Sequence, residues 1–342
     1  MSIDFDPNAT AVHDGIYGLP FDTKQAAQVI IPIPWEATVS YRTGTSKAPA
    51  AILEASKQVD LFDADVKDAW KFGLAMDEIP GDIAKLDRET QAKVQVYLSA
   101  YEAGAEGDAK LLDQINANCE KMVDWVRSRA KHFLDQEKLV YSIGGDHSTP
   151  LGLIQELAAR GTFGILHIDA HSDTRDAYQG FVNSHASIMF NVLKLKEVSN
   201  IIQVGIRDYC DEEEALARGS DGRLRMFTDR EIMSRLFDGE SWRKICDSII
   251  ADLPERVYLS VDIDGLDPQL CPSTGTPVPG GLQYEQTIFM VREVVRSGRK
   301  IIGLDLSEVA VGEDDWDANV GARLLYRLAN LTAQSNGLKP IV

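Results

Sequence analysis

Short apolar runs recur along the chain at residues 29–33, 72–75, 139–143, 163–168, 201–206, 257–261 and 301–306. Runs of this length, apolar at successive positions, read as strands covered on both faces. Helical patterns lie between most of them. The clearest places Ile115, Cys119, Met122, Val123 and Val126 on one stripe, which predicts an amphipathic helix packed on the sheet. An earlier helix runs through Val94, Leu98 and Tyr101, with Gly104 and Gly107 separating the two. Strands alternating with helices predict an α/β chain whose central parallel sheet is covered on both faces. No internal repeat, low-complexity tract or linker interrupts the pattern, so a single domain is expected.

The chemistry-bearing residues follow these runs rather than precede them, and in such sheets ligands bind beyond the carboxyl ends of strands. The run at 163–168 is followed by Asp169-Ala170-His171-Ser172-Asp173. If the strand persists, Asp169, His171 and Asp173 share a face and converge. The run at 257–261 leads into Asp262-Ile263-Asp264, and that at 139–143 into Gly144-Gly145-Asp146-His147-Ser148, where glycines permit close backbone approach. Carboxylates and imidazoles form a hard-to-borderline donor set suited to Mn²⁺, Ni²⁺, Zn²⁺ or Fe²⁺. Gathered without cations, so many carboxylates would repel and raise one another's pKa values. A dinuclear metal site is expected.

The strings GGDHS, DAHSD and SVDIDGLDP resemble, in order and spacing, the three signature blocks of the ureohydrolases, a family of arginases, agmatinases and related enzymes. The resemblance spans residues 28–335. It tends toward the agmatinase branch through Gln203-Val204-Gly205-Ile206-Arg207, Ser273-Thr274-Gly275-Thr276-Pro277 and Pro279-Gly280-Gly281. It implies a three-layer αβα arginase-like fold, with the metal site at the carboxyl ends of the strands. One metal would be held by His147, Asp169, Asp173 and Asp262, the other by Asp169, His171, Asp262 and Asp264. The ions are Mn²⁺ by family, with Ni²⁺ as the alternative. The implied reaction cleaves a guanidino compound to urea and an amine. Asp264 would handle a proton, His185 would protonate the leaving amine, and Glu308 would bind the guanidinium. Homotrimers or homohexamers are implied as well. Two alternatives stand beside this reading: a nickel-dependent guanidine hydrolase and a non-catalytic partner subunit of the same fold. Intact candidate residues argue against the second. A zinc deacetylase of related fold fits less well, because the second metal's ligands are complete.

The remaining histidines read as structural: His167 as a core or orienting group, and His13 and His132 as solvent-facing or structural. Asp146 reads as an orienting group, and Cys271 as a packing residue. Amino-acid recognition of the arginase type has no match after the DAHSD block. Trp35, Tyr41, Tyr178, Phe181 and Trp316 instead suggest a pocket narrowed by bulk. Agmatine is the default substrate by branch, and guanidine or a short guanidino acid the narrower expectation.

A formal net charge of −18 argues against nucleic-acid binding, which needs lysine and arginine against phosphates. It permits attraction of a small cationic substrate. No secretory signal and no apolar run of membrane-spanning length is visible, and the four cysteines form no C-x-x-C pair. A cytoplasmic, reduced setting without membrane attachment is expected. Residues 1–28 read as an N-terminal extension, most simply a surface arm, ahead of a catalytic domain over 29–342.

Overall fold

The structure is a computed structural model that describes residues 5–11, 13–39, 41–103 and 108–342. Eight strands form one sheet in which every pairing is parallel. They are β1 (Gln28–Pro32), β2 (Leu74–Met76), β3 (Leu139–Ile143), β4 (Phe163–Ile168), β5 (Val198–Ile206), β6 (Leu224–Thr228), β7 (Arg256–Asp262) and β8 (Lys300–Ser307). The spatial order is β2-β1-β3-β8-β7-β4-β5-β6. The chain builds outward from β1 to β2, returns for β3, and then jumps to β4, β5 and β6. The last two strands fill the gap between β3 and β4. This late insertion makes β3, β8, β7 and β4 the four central neighbours.

Alternation along each strand sends side chains to two separate cores. Val29, Ile31, Val140, Ile165 and Tyr258 face a core closed by α2 (Gly81–Glu102), α3 (Ala109–Leu134), α4 (Leu151–Ala158) and α5 (Ile188–Leu193). Ile30, Tyr141, Leu166, Leu259 and Leu304 face the other, closed by α1 (Ala48–Ser56), α7 (Asp229–Phe237), α8 (Trp242–Ala251), α9 (Tyr284–Arg296) and α10 (Trp316–Ser335). Toward the edge, α6 (Asp211–Gly219) packs against β6. The expected three layers are present. In α3 the buried stripe is Ile115, Asn118, Cys119, Met122, Val123, Val126, Ala130 and Phe133, as its spacing predicts. Asp108 caps that helix by accepting from the N–H groups of Lys110 and Leu111. Each aliphatic side chain of such a stripe contributes roughly 1.5–3 kcal/mol on burial. Gly104 and Gly107 lie outside the described residues.

Three expectations need correction. Phe72 ends a short 3₁₀ turn, Ala69–Phe72, so the second strand begins at Leu74. The strand β6 was not anticipated; it is an edge strand whose arginine and partly buried positions break the apolar run. The segment ahead of β1 is not a loose surface arm throughout. Ile16, Tyr17, Leu19 and Phe21 are buried, and Tyr17 donates from its N–H to Ser56 Oγ (2.8 Å) and from its hydroxyl to the Ala322 carbonyl (2.8 Å).

Candidate metal centre and substrate cleft

The four central strands each end in a segment that enters one site. Leaving β4, the chain does not continue as a strand: after Ile168 only an isolated bridge, His171 to Asp208, remains. Asp169, His171 and Asp173 therefore do not converge by strand alternation. Asp173 sits in the left-handed region (φ 55°), and that turn brings its carboxylate back over the strand end. Glu308, after β8, is left-handed too (φ 61°). Non-glycine residues in this region are uncommon and cluster where surrounding structure holds a functional side chain in place. Leaving β7, Asp262 caps a 3₁₀ turn by accepting from Asp264 N–H (2.8 Å), so both carboxylates stay on the site.

Close backbone approach depends on glycine at two of these ends. A Cβ on Gly145 would lie 1.6 Å from the Trp35 carbonyl oxygen, and one on Gly265 would lie 2.6 Å from the Asp169 nitrogen. Gly145 carries the segment to His147, and its carbonyl accepts from Glu308 N–H (2.8 Å). Arg207 ties two other loops together by donating to the carbonyls of Asp264 (2.7 Å), Leu266 (3.1 Å) and Val278 (3.0 Å).

The side chains form two adjoining clusters. His147 Nδ1 lies 3.0 Å from Asp169, 3.2 Å from Asp173 and 3.3 Å from Asp262. His171 Nδ1 lies 3.1 Å from Asp264 and 3.6 Å from Asp169. Asp169 is common to both. The His147 ring has its other nitrogen 2.9 Å from Ser260 Oγ, which orients Nδ1 toward the carboxylates. His167 is within range of the first cluster but is engaged on both sides. Gln203 Nε2 donates to its Nδ1 (3.0 Å), which leaves Nε2–H to donate to Asp169 (2.8 Å). It orients the carboxylate, as expected.

Charge balance bears on what the site can hold. Among the described residues, no lysine or arginine side chain pairs with Asp169, Asp173, Asp262 or Asp264; histidines are their only ionic partners. Burial and the neighbouring Asp169 push the Asp173 carboxyl up to about 6, and burial with Asp264 and Asp169 holds Asp262 well above the usual carboxylate range. Burial opposes an imidazolium at His171, yet Asp264 and Asp169 outweigh it and raise the group to about 12. His147 is likewise raised, against its burial, by Asp169, Asp173 and Asp262. These shifts are the response of crowded, buried carboxylates, which divalent cations would relieve. Oxygen and imidazole donors at these separations fit divalent transition ions.

The clusters form the inner wall of a small cleft of about 120 Å³, lined also by Arg175, Tyr178, His185, Ala186, Asp208, Glu213, Thr276 and Glu308. Glu308 accepts from His147 N–H (2.9 Å), and burial together with Asp146 holds its carboxyl well above the ordinary range. His185 is lowered to about 4 by burial and by the charges on His171 and His147, so its imidazole is neutral near pH 7. Asp146 turns away, accepting from the N–H (3.0 Å) and hydroxyl of Ser148. Cys271 is buried with its thiol toward the Ile263 carbonyl, in agreement with a packing role. His13 and His132 are exposed.

The expected aromatic narrowing is largely absent. Trp35 and Phe181 are buried in the α2–α3 core, Tyr41 is 72% exposed and Trp316 46% exposed, and of the five only Tyr178 lines the cleft. The Trp35 indole packs into the apolar core, and Trp316 is held outward by donating to the Gln269 carbonyl (2.9 Å). Arg175, Asp208, Glu213 and Thr276 were missed, since none lies in a strand-end motif of metal-ligand type. Also missed was a buried polar row beneath the site. Ser142, Asp305, Ser260, His167 and Gln203 are register partners across β3, β8, β7, β4 and β5. Each is a polar residue inside an apolar run, the one sequence signal that could have marked it.

Residues 26–330 match the model of the Arginase family. The chain belongs to the arginase family. Its members are metal-dependent amidinohydrolases that bind dinuclear divalent metals, and this chain is an enzyme of that class. Among relatives, an N(1)-aminopropylagmatine ureohydrolase of Synechocystis sp. is 30% identical over 318 residues, covering 92% of each chain. An agmatinase of Bacillus cereus is 26% identical, covering 86% of this chain and 87% of that one. In fold the chain is similar to the agmatine ureohydrolase of Thermoplasma volcanium, with a TM-score of 0.72 at 21% identity over 98% of this chain and 97% of the other. This arginase-family chain contains no helix, among those described, long and apolar enough to cross a membrane.

Proposed function

We infer that this arginase-family enzyme hydrolyses a compact guanidino compound, guanidine itself or one with a short arm, to urea and ammonia or an amine. The observation that carries the reading is the size of the cleft. At about 120 Å³ it falls below the ~300–1,000 Å³ of common small-molecule pockets. Two divalent cations, one on His147, Asp169, Asp173 and Asp262 and one on Asp169, His171, Asp262 and Asp264, would supply the charge that makes water a nucleophile near neutral pH. Mn²⁺ is the first choice by resemblance and Ni²⁺ the second.

The protein groups divide the remaining work. Glu308 faces the cleft with one oxygen committed to His147 N–H, and it orients the guanidinium by charge-assisted hydrogen bonds from the NH₂ groups. A cation against it restores the charge that burial suppresses. Asp264, with Thr276 Oγ1 3.5 Å from its carboxylate, carries the proton released by water. His185, on the same cleft and neutral at rest, takes up that proton and passes it to the departing nitrogen. Trimers or hexamers, carried over from the resemblance, and the cytoplasmic setting expected from the sequence complete the reading.

Agmatine is the second reading. The name of the Bacillus cereus relative supports it, and Asp208 offers a carboxylate to an ammonium tail at the cleft's rim. The test is urea release by Mn²⁺- and Ni²⁺-loaded protein from guanidine, 3-guanidinopropionate, agmatine and arginine. Higher kcat/KM for one of the first two than for agmatine or arginine is expected. A preference for arginine overturns the compact-substrate reading, and urea from none of them overturns the hydrolase reading.

A further inference from the structure

The cleft is graded from a buried floor to an open rim. Asp262, Asp264 and Glu308 are buried, whereas the side chains of Arg175 and Asp208 are 42% and 70% exposed. A guanidinium seated on the floor must direct the rest of its molecule past this rim. Among the lining residues Arg175 is the sole lysine or arginine.

Arg175 is held in place and its charge is paired loosely with buried Glu213, but among the described residues its guanidinium hydrogen-bond donors remain unused. Its N–H donates to the Ala186 carbonyl (3.0 Å), next to His185. Its guanidinium lies 5.1 Å above the Tyr178 ring, and that ring meets the His185 ring edge-on at 6.3 Å. The nearest carboxylate is Glu213, whose Oε2 lies 3.9 Å from Arg175 Nε, beyond hydrogen-bond range. Glu213 is committed elsewhere, accepting from Thr174 N–H (3.1 Å), the Thr174 hydroxyl (3.3 Å) and Cys210 N–H (3.0 Å). Among the described residues, no acceptor hydrogen-bonds to the Arg175 guanidinium.

Resting on the compact-substrate reading above, we propose that Arg175 selects the substrate by its tail. It rejects guanidino compounds that end in an ammonium group and admits those that end in a neutral group or a carboxylate. An ammonium reaching the rim meets a positioned like charge, while a carboxylate there meets a planar donor fork that matches it. Asp208 pulls the other way, but it lies largely in water 4.0 Å from His171 Nε2, where solvent and salt weaken its attraction. Arg175 thereby gives the mouth of an acidic site a preference opposite to that of its floor.

The experiment measures kcat/KM on 3-guanidinopropionate and agmatine for metal-loaded wild type, Arg175→Ala, Arg175→Lys and Arg175→Glu. The quantity read is the agmatine-to-guanidinopropionate ratio within each protein, which cancels any loss of folded or loaded enzyme. Arg175→Ala should raise it roughly 10-fold or more and Arg175→Glu further, while Arg175→Lys, which keeps the charge, should stay within about 3-fold of wild type. An unchanged ratio in Arg175→Ala and Arg175→Glu overturns the proposal and leaves the compact-substrate reading intact. A shift in Arg175→Lys equal to that in Arg175→Ala overturns it also, because packing rather than charge would be responsible. Failure of the parent reading shows separately, as wild-type protein that releases no urea or prefers arginine.

Discussion

His185 comes to the cleft from a short 3₁₀ turn, His185–Ser187, capped by the Ser184 hydroxyl accepting from Ala186 N–H. Among the described residues no carboxylate pairs with it as carboxylates do with His147 and His171, so it stands outside the acidic clusters, and its neutral imidazole can accept a proton before passing it on. His185→Ala should leave bound metal unchanged and lower kcat by roughly 10²–10⁴-fold. A change in melting temperature without a change in kcat would make the residue structural. Sequence motifs sufficed to pick out His147, Asp169, His171, Asp173, Asp262 and Asp264 as residues that the fold brings together, because each is a ligand-type residue just past an apolar run. They did not mark Arg175 or Asp208, because a single charged residue in a loop carries no periodicity and only the folded cleft shows which loops adjoin. Trp35 and Phe181 were misjudged for the same reason: aromatic bulk near a motif does not reveal which side of the backbone it occupies.

At the scale of elements, the loop after β1 is fastened to α2 and to its own continuation by buried carboxylates. Asp87 on α2 accepts from Glu36 N–H (2.8 Å), and Glu36 Oε2 accepts from the N–H groups of Gly44 (2.6 Å) and Ser46 (3.1 Å). Burial, reinforced by Asp146 and Glu36, raises the Asp87 carboxyl to about 7 against the hydrogen bonds that favour its charge. A carboxyl raised in the folded state contributes stability that is full below its unfolded pKa of about 4 and is lost as pH rises through about 7. Metal-free Asp87→Asn protein should therefore gain in melting temperature relative to wild type between pH 4 and 8, most at the upper end. Parallel curves for the two proteins would contradict this. Strand elements were legible where both faces are buried, as in β3, β4 and β7, since an unbroken apolar run has few other readings. The edge strand β6, with Arg225 exposed between Leu224 and Phe227, gives too short an alternation to stand out. The left-handed turns at Asp173 and Glu308 were not legible at all, because no glycine or proline announces them.

At the scale of the whole molecule, the site exists because β7 and β8, late in sequence, are inserted between β3 and β4. Four segments far apart in the chain then end side by side, and a polar row one step below them orients His147 and Asp169. Strand order and register could not be read from one sequence, although the placement of ligands beyond strand ends could. Asp169 is the carboxylate common to both clusters, lying 3.0 Å from His147 and 3.6 Å from His171. Its replacement tests the central claim, a dinuclear amidinohydrolase site, more directly than any other change. The measurement is metal content per chain of purified Asp169→Asn protein, alongside its urea production from the best substrate of the wild type. Loss of at least one of two bound ions and of nearly all turnover is predicted; two full equivalents with unchanged turnover would contradict the account.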